Sequence, residues 1–318
     1  MEVIKVSDRP ASQSFYEVAG RLLFIESFDR RLGNLIEQLF SGWQLAPVSF
    51  PDRSPDIRIQ FFCGALPVIP EDLNRFEIAE GGQCYTDGAN YYLALGNTMV
   101  HVQNGSAGVW IRELAGPGDA VLARAASFAV CAALRRLGLF ELHAAGMVHP
   151  GSEQGVLIIG PSGSGKSTLA FQLASSGWPY LSDDELLLSL GDGAVEARGF
   201  RSFFAVRDES NGKFRTCFEP EAAFGSSRRA SAVPDVLLFI SLNREEKTRL
   251  DSLTQAEAMT RLLRACPWAT YDTAIAAPNL ELLSRLVRQT RAFDLFASRD
   301  LLVPGFASEL LSPFVDLS

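Results

Sequence analysis

Apolar positions along the chain change their period more than once, and those changes divide it into parts. Residues 15–27, Phe-Tyr-Glu-Val-Ala-Gly-Arg-Leu-Leu-Phe-Ile-Glu-Ser, predict extended structure. Leu32, Leu35, Ile36 and Leu39 then recur at helical spacing and predict a helix. Short alternating segments follow, with Ile57, Ile59 and Phe61 in one and Phe76 and Ile78 in another. Two dipeptides read as hairpin turns: Asp87-Gly88, between 84–86 and 91–93, and Asn104-Gly105, between 99–102 and 109–111. Both suit type I′ turns, whose two central residues need positive φ. Gly116-Pro117-Gly118 ends this β-rich stretch. Asp119 is placed to cap a helix carrying Leu122, Ala126, Ala129, Ala133 and Leu137. A domain boundary is expected here, with a smaller N-terminal α+β domain over 1–118 and an α/β domain, led by that helix, over 119–318.

The second part has another grammar. Val156-Leu157-Ile158-Ile159 is a continuous apolar run, as a strand buried on both faces requires. A glycine-rich turn follows, then a helix over about 166–175. Tyr180-Leu181 leads into Ser182-Asp183-Asp184, and Leu186-Leu187-Leu188 follows. Val236 to Ser241 is a further apolar run, Thr254 and Glu257 form a capping box for a helix through Leu263, and another helix is expected over about 280–290. Strand, loop and helix beside further strands predict an α/β nucleotide-binding core. No internal repeat is visible, so a solenoid is not expected.

Composition narrows the classes. The chain has 318 residues, 47% of them hydrophobic, which suits a globular protein with a proper core and not a disordered one. A net charge of −8 disfavours a nucleic-acid partner, because neutralising phosphates needs a basic face. The apolar stretch 120–134 is interrupted by Arg124 and reads as a buried helix, so no membrane partner is expected. The N-terminus lacks the build of a signal peptide. Cys63, Cys84, Cys131, Cys217 and Cys266 are odd in number and form no CxxC pair, which fits a reduced, cytoplasmic protein without structural zinc.

Candidate chemistry centres on Gly160-Pro161-Ser162-Gly163-Ser164-Gly165-Lys166-Ser167, which fits G-x-x-x-x-G-K-[ST] in full and is followed by Thr168. The glycines let successive backbone N–H groups curl around one anion. The following helix adds its N-terminal amides and positive dipole end. Lys166 brings a mobile charge toward the β- and γ-phosphates, and Ser167 a hard oxygen for Mg²⁺. The expected ligand is a nucleoside triphosphate, ATP with Mg²⁺. Asp183 and Asp184 follow after one helix, a turn and a strand. In an α/β sheet that length brings both carboxylates to the strand end beside the loop, where one can serve the metal and the other take a proton.

Leu142-His143-Ala144, the glycine-rich loop, Leu181-Ser182-Asp183-Asp184 and Val195-Glu196-Ala197-Arg198-Gly199-Phe200 together resemble HPr kinase/phosphorylase and its HPr-kinase-like relatives. The resemblance covers roughly 138–300 and is specific over 142–199. It implies a P-loop kinase core transferring phosphate from ATP to a serine hydroxyl of a protein, or of a ribosomal peptide precursor as in lasso-peptide tailoring. Carried over, it implies that Lys166 contacts the phosphates, that Ser167 and Glu196 serve Mg²⁺, with Asp183 a further metal candidate, and that the aspartate pair supplies the base, with Asp184 preferred. His143 would lie in the active site, or else pack in the turn before its strand. Arg198 would touch phosphate, or close a turn with Gly199. A later arginine of the family has Arg244 and Arg249 as candidates. HPr kinases are oligomeric, so the resemblance allows a homo-oligomer without giving the oligomeric state.

The sequence departs from the bifunctional enzymes at Thr168, where they carry glutamate, and its N-terminal part does not look like theirs. HPr itself and phosphorolysis are therefore disfavoured, while a protein or peptide acceptor with a Ser/Thr hydroxyl stays. A small-molecule kinase acting on free serine or a sugar, and a nucleotide-binding regulatory module, remain as alternatives. Tyr85, Tyr91, Tyr92 and Trp110 mark either an acceptor-docking surface or an ordinary sheet core.

Overall fold

The computed structural model describes residues 9–78, 82–114, 116, 120–207, 215–243 and 247–315. Contacts divide the chain into two compact units, Met1–Leu139 with Tyr271–Ile275, and Phe140–Thr270 with Ala276–Ser318.

The first unit holds strands β1 (Ser12–Val18), β2 (Arg21–Ser27), β3 (Ala46–Val48), β4 (Ile57–Cys63), β5 (Asn74–Ile78), β6 (Gly82–Thr86), β7 (Asn90–Leu95), β8 (Thr98–Gln103) and β9 (Ser106–Ile111), with helices α1 (Arg30–Phe40) and α2 (Ala120–Arg135). The strands form one sheet in the order β3-β1-β2-β4-β9-β8-β7-β6-β5. Ile57, Ile59 and Phe61 alternate with more exposed residues on β4 and are buried, and both helices pack against this strand. Asp29 caps α1 by accepting from the Leu32 N–H at 2.8 Å. The expected boundary lies one helix earlier than the observed one, because α2 is buried along most of its length and packs on β8 and β9. That helix ends at Arg135, so Leu137 lies past it. Pro117, Gly118 and the expected cap Asp119 lie outside the described residues.

Turn chemistry corrects two expectations. The extended stretch over 15–27 is a hairpin that reverses at Ala19 and Gly20, with φ of 49° and 74°. Asn104 and Gly105, at 48° and 75°, have the positive pair a type I′ turn needs. Asp87-Gly88 does not: the loop has three residues, with Gly88 at φ 89° and Asp87 outside the left-handed region. Asp87 Oδ1 instead accepts from the N–H groups of Ala89 and Asn90 at 2.9 and 2.7 Å. The bonds from Asn90 lead in holding that carboxyl below its ordinary range.

The second unit contains β10 (Phe140–Leu142), β11 (Ala144–Val148), β12 (Gly155–Ile159), α3 (Lys166–Ser175), β13 (Tyr180–Ser182), β14 (Leu186–Leu190), β15 (Val195–Gly199), β16 (Phe204–Arg207), β17 (Arg215–Phe218), α4 (Pro220–Phe224), β18 (Ser231–Ala232), β19 (Pro234–Leu242), β20 (Arg249–Leu253), α5 (Gln255–Ala265) and β21 (Arg291–Ala297). Helices α6 (Trp268–Tyr271) and α7 (Thr273–Gln289) run through the exchange between units, and α8 (Phe306–Val315) ends the described chain. The main sheet has the order β13-β11-β12-β19-β21-β20, and β12, β19 and β21 are mutually parallel. β12 is buried at every position, as its unbroken apolar run anticipates. Val156 and Ile158 join Leu169, Leu173, Trp178 and Leu311 in a core on one sheet face. A smaller sheet runs β10-β14-β15-β18. No helix among the described residues is long and apolar enough to cross a membrane.

Candidate functional site

The C-terminal edge of the main sheet gathers the candidate residues. β12 ends at Ile159 and the chain enters the loop 160–165. β11 runs antiparallel to both β12 and β13, so β13 points the same way as β12 and its end at Ser182 lies on that edge. His143 sits just before β11, whose first residue Ala144 pairs with Ile159. Leu181 and Leu186 close tightly onto Gly146 of β11: a Cβ there would lie 2.9 Å from Leu181 and 3.0 Å from Leu186.

The loop turns on left-handed glycines. Gly163 and Gly165 take φ of 81° and 100°, left-handed values that favour glycine. Pro161, Ser162 and Gly163 form its exposed rim, Ser167 and Thr168 are half-buried, and Lys166 and Ser164 are buried. Among the described residues no side chain caps α3, and no acidic residue stands in its first turn. The Ser164 hydroxyl oxygen is buried and has no hydrogen-bond partner among the described residues.

Lys166 folds back over the loop. Its Nζ donates to Gly160 O at 2.8 Å and Pro161 O at 3.2 Å, and lies 3.0 Å from His143 Nε2. An ammonium only donates, so Nε2 is the acceptor of this contact and the ring's other nitrogen is Nδ1. That nitrogen faces Asp184 Oδ1 at 3.3 Å. The result is a line from ammonium through imidazole to carboxylate, with His143 and Asp184 both half-exposed.

The two aspartates are not equivalent. Asp183 is buried, while Asp184 opens toward solvent beside His143. Glu196 and Arg198 share one side of β15 and bond each other, Nη2 to Oε2 at 2.8 Å. Among the described residues neither bonds the loop. Arg249 bonds Asp251 at 3.0 Å on β20, and Arg244 lies outside the described residues. Two residues that sequence reasoning missed flank the acidic turn: Glu185 Oε2 accepts from Arg201 Nε at 3.0 Å, and the ion pair closes at 2.9 Å. Their signal was faint but present, a glutamate directly after the aspartates and an arginine directly after Gly199-Phe200.

His149 is structural, buried with Nδ1 3.1 Å from the Ser152 hydroxyl and its ring edge-on to Trp178. His101 stacks on Tyr92 at 4.3 Å, and burial pushes its pKa down. Of the four aromatics weighed as a docking surface, Tyr91 is buried, with its hydroxyl directed at Tyr271 O, and cannot serve.

No protein-family model matches the chain, and no curated protein sequence does. Solved structures do match, among them an HPr(Ser) kinase/phosphatase from Coxiella burnetii. This chain is 17% identical to it over 36% of its own length and 72% of the other's, with a TM-score of 0.27.

Proposed function

We propose that the second unit binds a nucleoside triphosphate, ATP with Mg²⁺, at residues 160–168 and transfers its γ-phosphoryl group to a Ser/Thr hydroxyl of a protein or peptide. The observation that carries this reading is the line Lys166–His143–Asp184, which joins a loop-bound ammonium to an open carboxylate at the mouth of an uncapped helix. The left-handed glycines and the partnerless buried Ser164 hydroxyl support the anion part of it.

The donor set suits a hard cation. Ser167 and Asp183 offer oxygen ligands, and among the described residues no group of three or more His, Cys, Asp or Glu draws together. That fits an ion completed by phosphate oxygens and water rather than held in an all-protein cage. Bound Mg²⁺ would offset charge on the phosphates. The remaining work falls to side chains. Lys166 exchanges a loop carbonyl for a phosphate oxygen. His143 keeps one oxygen of Asp184 engaged and leaves the other to accept the hydroxyl proton. The acceptor oxygen then bonds to the γ-phosphorus as the bond to the bridging oxygen breaks and ADP leaves. Such catalysis is positioning and charge stabilisation, for which these groups suffice.

The test is mass spectrometry for phosphate on serine or threonine of candidate peptides, with free serine in parallel. Asp184→Asn keeps shape and removes the base, so transfer should fall by about a hundredfold or more. ATP affinity should stay within about tenfold, roughly 1.4 kcal/mol. Wild-type transfer rates in both Asp183→Asn and Asp184→Asn would reject the mechanism.

A further inference from the structure

Between Ser182, the last residue of β13, and Leu186, the first of β14, three residues turn the chain: Asp183, Asp184 and Glu185. The aspartates face opposite ways, one into the core and one outward. Adjacent side chains keep opposed directions only while the backbone between them is held, because a loose turn samples other φ/ψ wells. Among the ties that hold it are several from the residues just after β15. Leu186 pairs with Gly199, which sets residues 200 and 201 beside Glu185. The Phe200 N–H donates to Glu185 O at 3.1 Å. The Arg201 N–H donates to Ser182 Oγ at 3.4 Å, and its guanidinium grips Glu185 Oε2 through Nε and Nη2. One segment thus fastens both feet of the turn and leaves the aspartate side chains between them. The pair is well shielded, with Glu185 at 16% side-chain exposure, so salt screens it less than a rim contact. A rigid guanidinium fork fixes direction as a flexible ammonium does not.

We infer that Arg201 is a positioning residue: through Glu185 it sets the acidic turn and so aims Asp184 at His143. What the aspartate then does rests on the proposed kinase reading; how it is held does not. The test therefore has two readouts on the full chain. Imidazole ¹⁵N spectra, with His143 assigned by His143→Gln, report whether Nδ1 still donates to Asp184. Steady-state ATP turnover, with water as acceptor, reports the chemistry. Arg201→Gln and Glu185→Gln should each change the His143 signals as Asp184→Asn does, and should lower kcat by about tenfold with the KM for ATP nearly unchanged. Arg201→Lys should fall between. The exchanged pair Glu185→Arg with Arg201→Glu should return the wild-type imidazole signature, which also decides the matter if the single variants do not fold. Unchanged His143 signals in the folded single variants, or an exchanged pair that folds with the signature lost, would overturn the positioning role. Absent phosphoryl transfer to any Ser/Thr peptide in the wild type would sink the kinase reading alone, since the spectra still decide how Asp184 is held.

Discussion

Among the partners of Lys166 Nζ in this structure are Gly160 O, Pro161 O and His143 Nε2. On the proposed reading, a phosphate oxygen would replace one of these acceptors. Lys166→Ala should leave the fold intact and weaken ATP by at least about tenfold, roughly 1.4 kcal/mol, in calorimetric titration with Mg²⁺. Unchanged affinity would remove the loop from the binding site. Gly160→Ala is the steric counterpart, because its Cβ would stand 2.6 Å from Ile240 O and 2.5 Å from Ser164 Oγ. It should cost about 1–3 kcal/mol in denaturant unfolding, as overpacking does. The loop was legible residue by residue because each position has a backbone or charge requirement of its own. The aspartates were legible only as a pair: which one turns inward depends on ties from Phe200 and Arg201, which no local spacing displays. The Glu196–Arg198 bond was visible in principle, since residues two apart on a strand share a face.

Elements with a single strong period were read correctly, and those where a tertiary partner offsets an unfavourable residue were not. The helix expected from 280 begins at Thr273, because Pro278 inside it reads locally as a breaker. β21 places Asp294 within a buried strand, and Arg261 from α5 pairs with it. The Ala19-Gly20 turn went unseen because alanine carries no turn signal. The capping box of α5 has both halves in place: Thr254 accepts from the Glu257 N–H, and Glu257 from the Thr254 N–H at 2.9 Å. Thr254→Ala should cost about 1 kcal/mol. Bonds from Thr254 hold the Glu257 carboxyl below its ordinary range. A carboxyl depressed on folding stabilises above its unfolded pKa, and that contribution is lost as pH falls through the folded value. Hydrogen exchange should therefore show the first turn of α5 protected at neutral pH and loosening below about pH 4. Equal protection at both pH values would show that the box contributes nothing.

At the scale of the whole molecule, the feature least legible from sequence is the return of residues 271–275 to the first unit. An ion pair spanning 136 positions joins it there, Arg136 Nη1 to Asp272 Oδ1 at 3.0 Å, with both side chains largely shielded. The guanidinium also donates to Gly88 O at 3.3 Å and lies 5.2 Å from the centre of the Tyr91 ring. Asp272 accepts in turn from the Ala274 N–H at 3.2 Å. Burial, then the nearby Asp272 charge, pushes the Tyr91 hydroxyl pKa up. Hydrophobic patterning cannot announce such a clasp, because neither an arginine at a helix end nor an aspartate before a helix looks unusual alone. Asp272→Asn keeps shape but strands the Arg136 charge in a shielded place, and leaving a buried charge uncompensated costs about 3 kcal/mol. The loss belongs to the first unit. Exchange measured by mass spectrometry should rise over residues 82–103 and 120–135, which carry β6 to β8 and α2, and stay unchanged over 156–175, which carry β12 and α3. Double substitution with Arg136→Gln should recover part of the loss by removing the stranded charge, the coupling expected of residues in direct contact. Exchange that rises equally in both units, or in neither, would show that this pair does not hold the returning segment.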